Sequence, residues 1–184
     1  MGVVRYRAAE ETDAEGVALL HADSWRRHYR GAYADAYLDG DVVADRLAVW
    51  GGGRLTAARE RATVVADGED GGLLGFVHVV FDEDERWGSL IDNLHVSNAS
   101  RRTGVGAALM ERAAAAVGER AAGRSVYLWV LEQNTAAQGF YRALGATHVE
   151  TVPVGPPGGV PERLNGSPRK LRLAWKDVAD LRKS

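Results

Sequence analysis

The sequence predicts an α/β (α+β) fold: a mixed, mostly antiparallel sheet with helices on both faces. Three observations carry this. Strand-like alternation opens the chain ahead of two helical stretches. Three strands then follow one another across short polar turns. A strand, a helix and two closing strands come after a long Ala-rich helix. Consecutive strands on tight turns pair antiparallel, and a strand–helix–strand unit adds a parallel neighbour. The 184 residues suit one domain spanning 1–184.

The elements follow in order. Val3–Arg7 alternates as a strand. Thr12 or Asp13 can cap a helix running to about Trp25, with Val17, Leu20 and His21 at helical spacing. A second amphipathic stretch runs from Asp35 to Trp50 and breaks at Gly51–Gly53. Thr63–Ala66 and Leu73–Val80 flank a Gly-rich turn, as a hairpin does. Ser89–Val96 is the next strand, after a charged loop from Asp82 to Arg86. Gly104–Ala122 is an Ala-rich helix and Ser125–Leu131 a strand rich in β-branched and aromatic residues. Asn134–Leu144 is a helix capped by Asn134 and ended by Gly145. Thr147–Val154 and Arg169–Trp175 are the last strands. The stretch Pro153–Pro168 between them holds all five prolines and exceeds most connections in compact domains.

Composition narrows the function. Hydrophobic residues make up 46% and charged residues 26%, as in ordinary globular proteins. A net charge of −2 argues against a nucleic-acid partner, which draws a basic excess. No cysteine is present, so thiol catalysis and disulfides are excluded. Apolar runs are too short for a membrane span and the first ten residues have no apolar signal core, so a cytoplasmic location is expected. The 20 Arg against 3 Lys, with abundant Ala and Gly, reads as codon bias of a GC-rich bacterium. The five histidines show no metal-ligand spacing, and no metal is expected.

The most informative stretch is Val96 to Gly106, between a strand and a helix, containing Arg101-Arg102-Thr103-Gly104-Val105-Gly106. A helix N-terminus leaves N–H groups unpaired, and glycines let an anion approach them. The turn lacks the third glycine of a dinucleotide fingerprint and the lysine of a triphosphate loop. On spacing alone, a plain strand-to-helix turn and a pyrophosphate cradle both remain open. A second stretch, Asn134-x-x-Ala137-x-x-Phe140-Tyr141-x-x-x-Gly145, lies downstream.

Together these two stretches resemble the GNAT superfamily of N-acetyltransferases. The first is similar to its acyl-CoA motif, as Arg101-x-x-Gly104-x-Gly106, and the element order is similar across nearly the whole chain. Asn98 stands where the family often has Pro, and Ala146 where an aromatic residue often follows the glycine. The resemblance implies acetyl transfer from acetyl-CoA to an amine. It implies that backbone N–H groups at about Arg102–Gly106, through Thr103, Gly104 and Val105, hold the pyrophosphate, with Arg101 and Arg102 adding cationic charge at the rim. It assigns contacts with the pantetheine arm to Leu94, His95 and Val96, on a strand that splays from its neighbour, and one to Asn134, which is equally a helix cap. One N–H, at Leu94, could polarise the thioester carbonyl.

The resemblance makes Tyr141 the general-acid candidate, with packing against cofactor or core as its other reading. The base stays open between Asp92, where many members carry Glu, and His95, whose ordinary pKa is near ~6.5. His78 and Glu132 are weaker candidates. Strict alternation puts Asp92 with Leu94 and Asn93 with His95, unless a bulge intervenes. The acceptor region of such proteins takes in Trp25, Tyr29 and Tyr33, with Tyr37 one turn further if the helix continues. Aromatic walls for an amine and plain core are both open readings. Arg26, Arg27 and Arg30, with Arg54, Arg59 and Arg61, could meet an acidic acceptor or the CoA 3′-phosphate, or form a solvated face.

The acceptor expected is a small-molecule amine, with a peptide N-terminus or lysine as the alternative. A non-catalytic acyl-CoA-binding module and a nucleotide-phosphate binder remain as readings of other classes. Homodimers are common among resembling proteins, but no stretch here specifies an interface.

Overall fold

The structure, a computed structural model, describes residues 3–56 and 58–181. Seven strands form one sheet: β1 (Arg5–Ala8), β2 (Arg61–Asp67), β3 (Leu73–Asp84), β4 (Gly88–Val96), β5 (Val126–Leu131), β6 (Thr147–Pro153) and β7 (Arg169–Trp175). Their order is β1-β2-β3-β4-β5-β7-β6, with β4 and β5 the parallel pair and every other neighbour antiparallel. The predicted mixed, mostly antiparallel sheet is observed. Among the described residues no helix is long and apolar enough to cross a membrane.

Among the described residues five α-helices accompany the sheet: α1 (Ala14–His28), α2 (Asp35–Asp39), α3 (Val42–Trp50), α4 (Val105–Arg120) and α5 (Thr135–Ala143). Helix α4 buries Val105, Leu109, Met110, Ala113 and Val117 against Val77, Val79, Ile91 and Leu128 of the sheet. On the opposite face α1 and α3 bring Val17, Ala18 and Trp50 against Val65 and Phe76. Helices therefore cover both faces, as the sequence predicts.

Three local expectations are corrected. The Asp35–Trp50 stretch is two helices, because a Cβ at Gly40 would lie 2.8 Å from the Ala36 carbonyl oxygen and the chain turns there. Asp13 does not cap α1 with its side chain; it accepts the Glu10 N–H at 2.8 Å and grips Arg7. The charged loop begins later than expected, because β3 continues to Asp84 and its turn is closed by that carboxylate accepting the Arg86 and Trp87 N–H groups.

Two features decide where the cleft opens. Strands β4 and β5 pair only at Ser89–Val126, Leu90–Tyr127 and Ile91–Leu128, and then separate. Where they meet, Gly88 has φ +79°, and a Cβ there would sit 2.3 Å from the Ser125 carbonyl oxygen. One residue beyond the last pair, the β3–β4 register shifts, so that His78 faces Asn93 and Val79 faces Ile91. Asp92 is the extra residue of this bulge. In consequence Ile91 and Leu94 reach the same core, which strict alternation forbids.

Three histidines are packed between α1, α3 and the sheet. His21 and His78 are fully buried. His21 Nδ1 accepts the Trp50 indole N–H at 2.9 Å, which leaves the proton of the neutral ring on Nε2. His78 Nδ1 lies 2.7 Å from Thr63 Oγ1, and the His95 ring stacks 4.4 Å from that of His21. Burial holds His78 and His95 at about 3, and His21 well below its ordinary value.

Gly88→Ala is expected to cost about 2–4 kcal/mol, from the positive φ and the clash with Ser125. Urea unfolding checks this, and a loss below about 0.5 kcal/mol would refute the close approach of β4 to β5. Acid is the second test. The unfolded chain protonates its histidines below about 6.5, whereas folded His78 and His95 resist until about 3. Stability therefore falls as pH drops through that window, by up to ~1.4 kcal/mol per pH unit per histidine. The urea midpoint should decline from pH 7 to pH 5, less steeply in His78→Gln. An equal slope in that variant would contradict the assignment.

Candidate functional site

Beyond Ile91 the separation of β4 from β5 opens a cleft of about 980 Å³. Its floor is the free edge of β4. Ser97 donates its N–H to the Leu74 carbonyl, so in this register His95 also bonds to β3. Alternation then turns the backbone N–H groups of Leu94 and Val96 outward, into the gap that β5 has left. Of the three expected backbone contacts, Leu94 and Val96 offer theirs to the cleft, while the His95 backbone faces Phe76.

The turn from β4 into α4 borders one end. Arg102 and Gly104 both have positive φ, +62° and +87°, which folds the backbone into a concave nest at the helix N-terminus. No side chain caps α4, so its first N–H groups have no partner within the helix. A Cβ on Gly104 would meet nothing within 4 Å, and Gly104, Gly106 and Ala107 all line the cleft. Arg101 and Arg102 stand at the rim. Thr103 and Val105 serve the turn itself: the Thr103 hydroxyl donates to the Ser100 carbonyl at 2.6 Å, and Val105 is buried in the core.

Helix α5 forms the facing wall. Asn134 caps it, its side-chain oxygen accepting the Ala137 N–H at 3.2 Å, and also lines the cleft. Gln138, which sequence reading passed over, donates to the Leu131 and Glu132 carbonyls and fixes α5 to the end of β5. Tyr141 faces the cleft beside Phe140, their ring centroids 5.2 Å apart. Burial, with Tyr29 adding to it, pushes its phenol well above the usual tyrosine range. Tyr141 is therefore a protonated donor at neutral pH.

The other end is walled by aromatic and charged side chains. Helix α1 stops at His28, yet Trp25, Tyr29 and Tyr33 still converge, because the following turn folds back on the helix. Trp25 stacks on Tyr29 at 5.2 Å, and Tyr33 lies 5.1 and 5.0 Å from the two. All three line the cleft, while Trp25 and Tyr33 are also mostly buried core. Tyr37 joins the buried cluster but not the lining. Asp92 reaches the cleft from the bulge. Its Oδ2 accepts from Arg54 at 2.9 Å and from Asn93 at 2.8 Å. His95 lies in the lining with Nδ1 2.8 Å from Ser24 Oγ. Of the weaker candidates, His78 is sealed in the core and Glu132 lies outside this cleft.

Sequence reading did not single out Arg46, Trp129 or Lys170 for this site. Arg46 lies 4.2 Å over the Trp25 ring and Lys170 Nζ lies 4.5 Å over Trp129; all three line the cleft. Alternation along β5 and β7 was the available signal for Trp129 and Lys170. Of the basic cluster expected here, Arg27 and Arg30 are engaged by Asp23, Asp35 and Asp39, and Arg26 by the Leu38 carbonyl. Only Arg54 of that set lines the cleft. The proline-rich stretch runs alongside: Val154, Gly155 and Pro156 line the cleft, and Arg163 is pinned to Asp45 at 2.9 Å. Among the described residues no cluster of three His, Asp or Glu side chains could hold a metal ion.

Residues 5–146 match the profile of the Acetyltransferase (GNAT) family. A Bacillus subtilis relative, the uncharacterized N-acetyltransferase YuaI, is 26% identical over 149 residues, 80% of this chain and 82% of its own length. Nourseothricin acetyltransferase superposes with a TM-score of 0.63 at 25% identity, covering 93% of this chain and 96% of that one. PaiA N-acetyltransferase from Thermoplasma acidophilum, solved with coenzyme A, gives 0.70 at 16% identity, with 94% and 99% covered. A putative acetyltransferase from Salmonella typhimurium, yncA, solved with acetyl-CoA, gives 0.66 at 18% identity, with 95% and 94% covered. The match spans the two stretches that border the cleft as well as the strands that open it, and the chain belongs to the acetyltransferase (GNAT) family.

Proposed function

We propose that the protein transfers an acetyl group from acetyl-CoA to the primary amine of a small molecule, by direct attack in a ternary complex. The observation that carries this is the free edge of β4, with outward N–H groups at Leu94 and Val96, meeting an uncapped helix N-terminus in one cleft. The nest at Arg102–Gly104 and the N–H groups of Val105, Gly106 and Ala107 suit a pyrophosphate. Arg101 and Arg102 supply charge beside it. The outward edge of β4 suits the amide-bearing arm, which it can pair as a strand would.

Acetyl-CoA supplies the acyl group as a thioester; the amine nitrogen bonds to the carbonyl carbon as the carbon–sulfur bond breaks. The Leu94 N–H stabilises the negative charge that builds on the carbonyl oxygen. Tyr141, protonated at neutral pH, gives its proton to the departing sulfur. Asp92 receives the amine proton through water; both of its bonds, from Arg54 and Asn93, fall on Oδ2. Neutral His95, held to Ser24, fixes the side of β4 that faces α1. Val154, Gly155 and Pro156 add a wall of chain to the same cleft.

Calorimetric titration with acetyl-CoA, and with ATP as control, tests the cofactor. Selective, saturable acetyl-CoA binding is expected, and equal ATP binding would sink the reading. Tyr141→Phe should lower kcat about 100-fold or more while the acetyl-CoA Kd stays within about threefold. Undiminished turnover would remove Tyr141 as the acid. In the pH profile, His95 titrates at about 3, so kcat/KM should show no inflection near 6.5 from this ring. Its rise toward alkaline pH should follow the acceptor amine. Asp92→Asn should lower kcat/KM about tenfold or more, and an unchanged value would leave Asp92 without a part in proton transfer.

A further inference from the structure

The cleft carries a charge imbalance that an ordinary amine would worsen. Among the described residues Asp92 is the one carboxylate in its lining, and Arg54 already neutralises it at 2.9 Å. Arg46 shares Asp45 with Arg163, two cations against one carboxylate that lies behind the wall. Lys170 has no carboxylate partner at all among the described residues. Its ammonium sits half-buried over Trp129, with burial and Arg172 holding its pKa down and Asp92 offsetting part of that. An ammonium entering this end meets excess positive charge in a partly desolvated space.

We propose that the acceptor is an amine that carries its own acidic group, an amino-carboxylate or its phosphonate or phosphinate counterpart, and that Lys170 captures that group. The inference rests on the acetyltransferase reading and specifies its substrate class. An anion on the acceptor supplies the partner that Lys170 lacks. Asp92 lines the same cleft from β4 and is the carboxylate available to the amine end. The Trp129 indole, under the Lys170 ammonium, adds an apolar surface to the same space. The surrounding cations serve the chemistry as well, because they disfavour the protonated amine and so raise the fraction able to attack.

The test measures kcat/KM for matched pairs: amino acids, and aminoalkyl phosphonates or phosphinates, against the corresponding amides and simple amines. Acid-bearing members should exceed their neutral partners by about tenfold or more, the usual scale for one buried charge-assisted contact. In Lys170→Met that ratio should fall to within about threefold of one, and Lys170→Arg should restore most of it. Lys176→Met, at an exposed lysine, is the control and should keep the wild-type ratio. A preference for neutral or polycationic amines would overturn the proposal while leaving the transferase reading intact. A preference that survives Lys170→Met would overturn the assignment to Lys170. If no amine in the panel turns over although acetyl-CoA binds, thermal shifts decide. No Lys170-dependent stabilisation by any acid-bearing amine would refute the proposal. Failure to bind acetyl-CoA at all is a separate result, and counts against the transferase reading.

Discussion

Everything functional in this molecule depends on where β4 and β5 stop pairing. Three residue pairs hold them together, Gly88 allows the close approach that starts the pairing, and the Asp92 bulge ends it. Past that point β4 remains bonded on its β3 side alone. An unpaired strand edge inside a domain is costly, because backbone polar groups there lose water without gaining a partner. A cleft open to solvent and ligand avoids that cost. The same bulge that frees the edge also delivers Asp92 to it, so opening the site and supplying its carboxylate are one local event.

The aromatic and charged wall of the cleft, the proposed acceptor side, is held by a chain of contacts that reaches across the fold. Asp45 accepts from Tyr37, Arg46 and Arg163 together. Through Arg46 it orients the cation over Trp25, and through Arg163 it anchors the proline-rich stretch. That stretch is further fixed by the Ala34 N–H donating to the Arg163 carbonyl and the Asn165 N–H donating to the Ala32 carbonyl. A segment with five prolines and several glycines, whose turns include the 3-10 helices Pro157–Gly159 and Pro161–Arg163, is thereby made into a wall. Prolines lower the entropy it loses on being fixed, and the ion pairs set its position.

The half of the candidate site built from backbone was legible in the sequence. A positive φ at Gly104 and an uncapped helix start are written locally, as glycines at fixed offsets after a strand. The same holds for Asn134, whose capping role and cleft position both follow from its place before α5. The acceptor half was only partly legible. Trp25, Tyr29 and Tyr33 stand out as residue types, but their convergence depends on a turn after His28 rather than on a continued helix. Arg46 and Lys170 come from α3 and β7, joined only by tertiary folding, and no local spacing links them. The bulge at Asp92 has no sequence mark either. It consists of a register shift against β3, a tertiary pairing, so alternation alone left the faces of β4 open.

The division between halves also separates two kinds of selectivity. A nest of N–H groups binds any group with the charge and shape of a phosphate ester, whatever side chains surround it, which is why glycine spacing recurs there. The acceptor half consists of side chains, and its charge is set by which carboxylates face inward. Asp45 and Asp92 both lie within reach of arginines, yet only Asp92 enters the lining. Turning Asp45 behind the wall leaves Arg46 exposed to the cleft as a cation whose partner the acceptor cannot touch. Lys170 adds a second. An amine confronted with that field is held best when it brings a negative charge of its own, and it loses its proton more readily once held. For the acid-bearing amine proposed above, recognition and activation would then draw on the same excess of positive charge.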